Sequence, residues 1–225
     1  MFLDENADIR SSASHCLGNI SIGNVEFFFP KVMGLIQSDA EHKYLLLTSV
    51  KDIIRANKGR KFKYLKELYQ ILFENAKSEE ESVWNVVAEC IGLLFLDNAD
   101  DFDFKLSLGE KFNSPSKNLL TTLAKSLKHS CNRNMNEVSL DSLRDLLSDY
   151  LNLCNNQDIE VRRCVIESLV TVCHSQPNIL WSEFEELIKI ISFNNKFKKE
   201  YIVEIDLGPF KHKTDEGKGL RQASY

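Results

Sequence analysis

Proline and glycine are scarce in this 225-residue chain, at 4 and 9. A chain so short of turn formers cannot be built mainly of tight β-turns, and before residue 200 it has few β-rich stretches. Long apolar runs are missing too. None approaches the roughly 18–20 residues that span a bilayer, and the opening MFLDENADIR has neither the basic start nor the apolar core of a secretory signal. An excess of positive charge is also lacking. The formal net charge is −5, so no global basic field recruits nucleic acid. The 6 cysteines form no C-x-x-C pair. Most lie in apolar helical text, where they read as small buried hydrophobes of a reducing compartment. Together these absences imply an intracellular, all-α chain, expected in cytoplasm and nucleus, with no membrane partner and no direct nucleic-acid partner.

What is present is helical periodicity. Ile9, Ala13, Cys16, Leu17 and Ile20 fall on one helical stripe, and Phe28, Val32, Leu35 and Ile36 on the next. Leu46, Leu47, Val50, Ile53 and Ile54 follow, ended by Asn57-Lys58-Gly59. Later stripes run through Leu65 to Leu72, Trp84 to Leu94, Leu140 to Tyr150, Val161 to Val172 and Ile179 to Ile191. Ser78-Glu79-Glu80-Glu81 reads as a capping box, Ser114-Pro115 as a helix start, and Asp101–Leu108 as a weaker helix.

One element recurs: an acidic turn, a polar or basic residue, a small residue, then an apolar stripe. It appears at Asp8-Ile9-Arg10, at Glu81 to Asn85, at Asp158 to Arg162, and again from Asp215-Glu216-Gly217 to Arg221. The spacing puts a helix pair on about 38 residues, the size of a HEAT repeat. Residues 1–225 are therefore expected to be one HEAT-repeat α-solenoid segment of about five helix pairs, a piece of a longer solenoid. In such repeats the Asp and Arg of the turn are expected to bond between neighbours.

After Asn195 the period changes. Tyr201, Val203 and Ile205 alternate with Ile202, Glu204 and Asp206, Gly208-Pro209 turn the chain, and Phe210 to Thr214 alternate again. This predicts one β-hairpin inserted over 198–215 between two helices of a repeat. With no sheet to join, it projects as a contact element.

Chemistry-bearing clusters are weak. His15-Cys16 and Cys173-His174 are adjacent pairs on helices whose side chains diverge by about 100°, so core packing is the reading. Asp97, Asp100, Asp101 and Asp103 match a calcium loop poorly. Lys58, Arg60, Lys61, Lys63 and Lys66 read as a solvated face, whereas Lys196, Lys198 and Lys199, beside the hairpin, suit steering toward an acidic partner. No phosphate loop or nucleophile elbow occurs. The expectation is a protein-binding scaffold without enzyme activity, metal or cofactor.

Four blocks carry a family resemblance: His15 to Asn24 (HCLGNISIGN), Tyr44 to Ile54 (YLLLTSVKDII), Asn85 to Gly92 (NVVAECIG), and Gly208 to His212 followed by Asp215-Glu216-Gly217. In that order they resemble the C-terminal region of the cullin-associated NEDD8-dissociated proteins, also described as TATA-binding-protein interactors. The match is poorest around 96–160. The resemblance implies a superhelix that binds an unneddylated cullin with its RING protein. It also implies a hairpin that competes with substrate adaptors, so that adaptors are exchanged. The implied partner-binding residues are Glu204, Asp206, Gly208, Pro209, Phe210, Lys211 and His212, with Phe210 as the apolar anchor. Lys213-Thr214 and Lys218-Gly219 depart from the family's usual text. The alternatives are binding of the TATA-binding protein or a generic HEAT adaptor.

Overall fold

A computed structural model describes residues 2–58, 62–131, 135–206 and 211–225; for 205 and 206 the description covers the backbone alone. Helices dominate. They are α1 (Ala7–Gly23), α2 (Val25–Ser38), α3 (Lys43–Ala56), α4 (Leu65–Asn75), α5 (Glu81–Asn98), α6 (Phe102–Lys111), α7 (Lys117–His129), α8 (Glu137–Leu153), α9 (Ile159–Ser175), α10 (Pro177–Leu180), α11 (Phe184–Asn194) and α12 (Lys218–Ala223). Strands β1 (Ile202–Asp206) and β2 (Lys211–Asp215) lie between α11 and α12.

Side-chain caps start many of these helices. Asn6, Asn24, Asp101, Ser116, Asn136 and Asp158 each accept a backbone N–H of the first turn, satisfying donors the helix leaves free. Two starts differ from expectation. Helix α5 begins after Glu80 without a side-chain cap, because the Ser78 hydroxyl is spent on the Glu80 N–H at 3.1 Å; there is no capping box. Helix α7 starts at Lys117 under Ser116 rather than at Ser114-Pro115. The stripe from Pro177 to Ile191 is also interrupted, by a 3₁₀ turn at Trp181–Glu183.

The helices form two layers. Every second helix stacks on the next of its kind: α1 on α3, α3 on α5, α5 on α7, α7 on α9, and α9 on α12. The intervening α2, α4 and α8 pack on α3, α5 and α9, and α6 bridges α4 and α8. The apolar core runs continuously between the layers, through Phe29, Leu47, Leu72, Val87, Ile91, Phe104, Leu123, Tyr150, Val165 and Ile179. This nearest-neighbour stacking is the construction of a solenoid.

The stack is close where side chains are small. On α1 the buried residues are Ala13, Ser14, Gly18 and Ser21. A Cβ on Gly18 would lie 2.9 Å from Asp52 Cβ. The expected stripe is corrected here: Ile9, Cys16 and Ile20 are exposed, since α1 meets α3 through its small face. Gly92 of α5 is tighter against α7, where a Cβ would sit 2.7 Å from the Ser126 carbonyl oxygen.

Polar rungs cross the same interface. His15 Nδ1 meets Asp52 at 2.7 Å, Arg55 and Lys51 both reach Glu89, and Lys125 donates to Asn85 Oδ1 at 3.0 Å. Lys117 pairs with Asp158 at 2.9 Å. The first three of these rungs join residues 37, 34 and 40 positions apart, which is the repeat length measured through bonds. The Asp and Arg of the recurring turn are not each other's rung partners. Arg10 donates instead to the carbonyls of Asp4 and Glu5.

Candidate partner-binding hairpin and its base

The hairpin is antiparallel, with Ile202 opposite Asp215, Val203 opposite Thr214, Glu204 opposite Lys213, Ile205 opposite His212 and Asp206 opposite Lys211. A two-stranded ribbon is marginal in water by itself. Among the described residues no third strand joins it. Val203, Glu204, Lys211, His212 and Lys213 are all exposed, and Lys211 Nζ lies 3.8 Å from the Glu204 carboxylate. Of the seven implied partner-binding residues, Glu204, Lys211 and His212 thus stand on solvent-facing strands. Asp206 is placed by its register, and Gly208, Pro209 and Phe210 lie outside the described residues.

The ribbon meets the solenoid at its base. Tyr201 fits the strand's alternation by sequence, but in the structure it closes a 3₁₀ turn, Lys199–Tyr201, just before β1. Its hydroxyl accepts a hydrogen bond from Arg162 Nη2 of α9 at 2.8 Å, and its carbonyl accepts the Glu216 N–H at 2.9 Å. Gly217 lies against the Tyr201 ring so closely that a Cβ there would overlap Cδ2. Across the other strand, Arg221 Nη2 holds Asp215 at 2.6 Å, and Asp215 Oδ1 also accepts the Gly217 N–H at 3.0 Å. The Arg221 guanidinium holds the Asp215 carboxyl below the usual carboxylate range, and the aspartate in turn raises Arg221.

The basic cluster at the foot is partly engaged. Lys198 Nζ sits 3.7 Å from the Phe193 ring centroid and 4.0 Å from Glu200. Of the earlier cluster, Lys63 pairs with Glu26 at 2.6 Å, while Arg60 and Lys61 lie outside the described residues. Beside the base, Trp181 stacks on Phe184 at 5.8 Å. These rings border a groove of about 420 Å³ lined by Val170, Ile188, Ile191 and Tyr225.

The cysteines divide. Cys90, Cys131, Cys154 and Cys164 are buried, and Cys16 and Cys173 are exposed, which corrects the core-packing reading of the His15-Cys16 and Cys173-His174 pairs. Burial pushes the Cys131 thiol up to about 11 and those of Cys154 and Cys164 up to about 12. Such thiols stay protonated near neutrality and are poor nucleophiles. Among the described residues no His, Cys, Asp and Glu cluster could hold a metal, and no helix is long and apolar enough to cross a membrane.

Two layers of helices stacked at a fixed interval, with one hairpin let into a repeat, define a HEAT-like α-solenoid. Comparison with known proteins narrows this. A family model described as "TATA-binding protein interacting (TIP20)" matches residues 179–225, from the end of α10 through the hairpin. "Cullin-associated NEDD8-dissociated protein 1" of Dictyostelium discoideum is 33% identical over 230 residues, covering 100% of this chain and 18% of that protein. Its namesake in Arabidopsis thaliana is 32% identical, covering 97% and 18%. "Cullin-associated NEDD8-dissociated protein 1, C-terminal part" of Emericella nidulans is 26% identical, covering 100% and 21%. The chain belongs to the cullin-associated NEDD8-dissociated protein family, and it spans about a fifth of the length of these relatives.

Sequence reasoning found the hairpin but missed its base. Arg162 was visible as part of the recurring turn, and Asp215, Gly217 and Arg221 as its last copy. Nothing local signalled that Tyr201 would join them.

Proposed function

We propose that this chain is a non-enzymatic scaffold that binds an unneddylated cullin with its RING protein, in cytoplasm and nucleus. In this reading the hairpin competes with substrate adaptors for the cullin, and so promotes adaptor exchange. The observation that supports it is an ordered ribbon whose strands present Glu204, Lys211 and His212 to solvent on a solenoid, in a family whose members are named for cullin association. Among the described strand residues, Ile202, Val203, Glu204, Lys211, His212 and Lys213 are exposed, a surface that suits contact with another protein. On this reading Phe210 is the apolar anchor of the contact, and Asp206, Gly208 and Pro209 belong to the same partner-binding segment.

The test is capture of an unneddylated cullin–RING pair by the chain while adaptor is titrated in. A variant with residues 204–213 replaced by a Gly/Ser linker runs alongside. Capture that adaptor reverses for the parent chain, and that adaptor no longer opposes for the linker variant, supports the reading. No capture by either chain overturns it.

A second reading has its own observation: the matching family model, described by interaction with the TATA-binding protein, covers the hairpin region itself. Capture of the TATA-binding protein, lost with the same linker variant, would favour it.

A further inference from the structure

We propose that Arg162, Tyr201 and Gly217 form a clamp that holds the hairpin in place on the solenoid, making them positioning residues for the partner-binding strands. This deepens the function proposed above and rests on it only for its consequence in binding.

The argument starts from the interval. The bonded rungs His15–Asp52, Arg55–Glu89 and Lys125–Asn85 join residues 37, 34 and 40 apart. Arg162 and Tyr201 are 39 apart. Tyr201 therefore occupies the next rung of the ladder, although the helix that would carry it, α12, starts only at Lys218. The hairpin leaves the chain directly after this rung and returns to it, through the Glu216 N–H on the Tyr201 carbonyl. The insertion is stitched to the stack at its own point of departure.

Three features make the rung a clamp. Arg162 is only 5% exposed, and Nη2 donates to the Tyr201 hydroxyl while Nε has no hydrogen-bond partner among the described residues. A buried guanidinium held by one phenol hydroxyl depends on that bond heavily, because losing it leaves a second buried donor unpaired. The opposite side of the ring lies on Gly217, where any side chain would displace it. Among the described residues no further strand supports the ribbon, so its placement depends on the base.

Hydrogen exchange of the intact chain tests this without a partner. Tyr201→Phe keeps the ring and removes the bond. It is expected to speed exchange of the β1 and β2 amides about tenfold or more, leaving the α3, α5 and α7 amides unchanged. Gly217→Ala is expected to do the same by displacing the ring. Arg162→Met added to Tyr201→Phe is expected to restore part of the lost protection, since the unpaired guanidinium is gone. A purely structural role for Tyr201 would not give that rescue. Unchanged strand exchange in both single variants overturns the clamp, as does loss of protection throughout the stack. The cullin capture assay, run on Tyr201→Phe, reads the binding consequence separately. Loosened strands with unaltered adaptor competition would sink the functional role of the hairpin while the clamp itself stands.

Discussion

The α5–α7 stack and the hairpin base belong to the same repeat lattice but are held by different means. Between α5 and α7, Val87, Ile91 and Leu123 are fully buried, Gly92 lets the backbones close up, and Lys125 adds a rung to Asn85. At the hairpin base the contacts described are polar: two side-chain pairs, Arg162–Tyr201 and Asp215–Arg221, and the backbone N–H groups of Glu216 and Gly217 on Tyr201 and Asp215, with one glycine against the ring. Apolar packing is redundant, so one lost atom is shared among many neighbours. A polar base is not redundant, so one lost bond can release a whole ribbon while the stack stands. The difference suits a rigid scaffold carrying an element whose placement can be tuned separately.

The largest effect is expected inside the stack. Leu123→Ala removes a fully buried side chain and should cost about 2–5 kcal/mol, read as a lower denaturation midpoint by circular dichroism. If the midpoint hardly moves, apolar packing around Leu123 does not hold the stack and the comparison fails at its first term. Gly92→Ala should cost less, about 1–3 kcal/mol, because His129 and the Ser126 carbonyl must retreat from the new methyl group. Its signature is loss of stability without loss of strand protection, the reverse of Tyr201→Phe. A Gly92→Ala chain whose hairpin loosens first would show that the two regions are not separable.

The smallest effect concerns pH. Asp215 is held below its ordinary range by Arg221, so its contribution is fully present above the ordinary carboxylate pKa and is lost as pH falls through its lowered folded value. Carboxyl chemical shifts should show Asp215 titrating below an ordinary aspartate, and Arg221→Ala should return it to that range. An ordinary titration in the parent chain would remove one of the two polar holds from the account.

Much of this architecture was legible in the residues. The 3.6 period marked most helix bodies, and alternation after Asn195 marked the ribbon, because both are properties of consecutive residues. Errors gathered where a local pattern had competing uses. Ser78 could cap α5 or bond the next backbone N–H, and it does the latter. Tyr201 fits an alternating strand by sequence, yet its hydroxyl is claimed by Arg162. Ile9 and Ile20 lie on a helical stripe, but α1 packs through Ala13, Ser14 and Gly18 instead. Of the implied binding residues, Glu204, Lys211 and His212 were read correctly as strand positions.

By itself the sequence determined the helix pairs, their interval and the position of the inserted ribbon, since each is written in the local order of apolar, polar and turn-forming residues. Tertiary structure alone decided which helices stack, where Gly18 and Gly92 admit close approach, and that Tyr201 closes a rung with Arg162. Those outcomes join residues some 40 positions apart, whose meeting depends on the packing of everything between them.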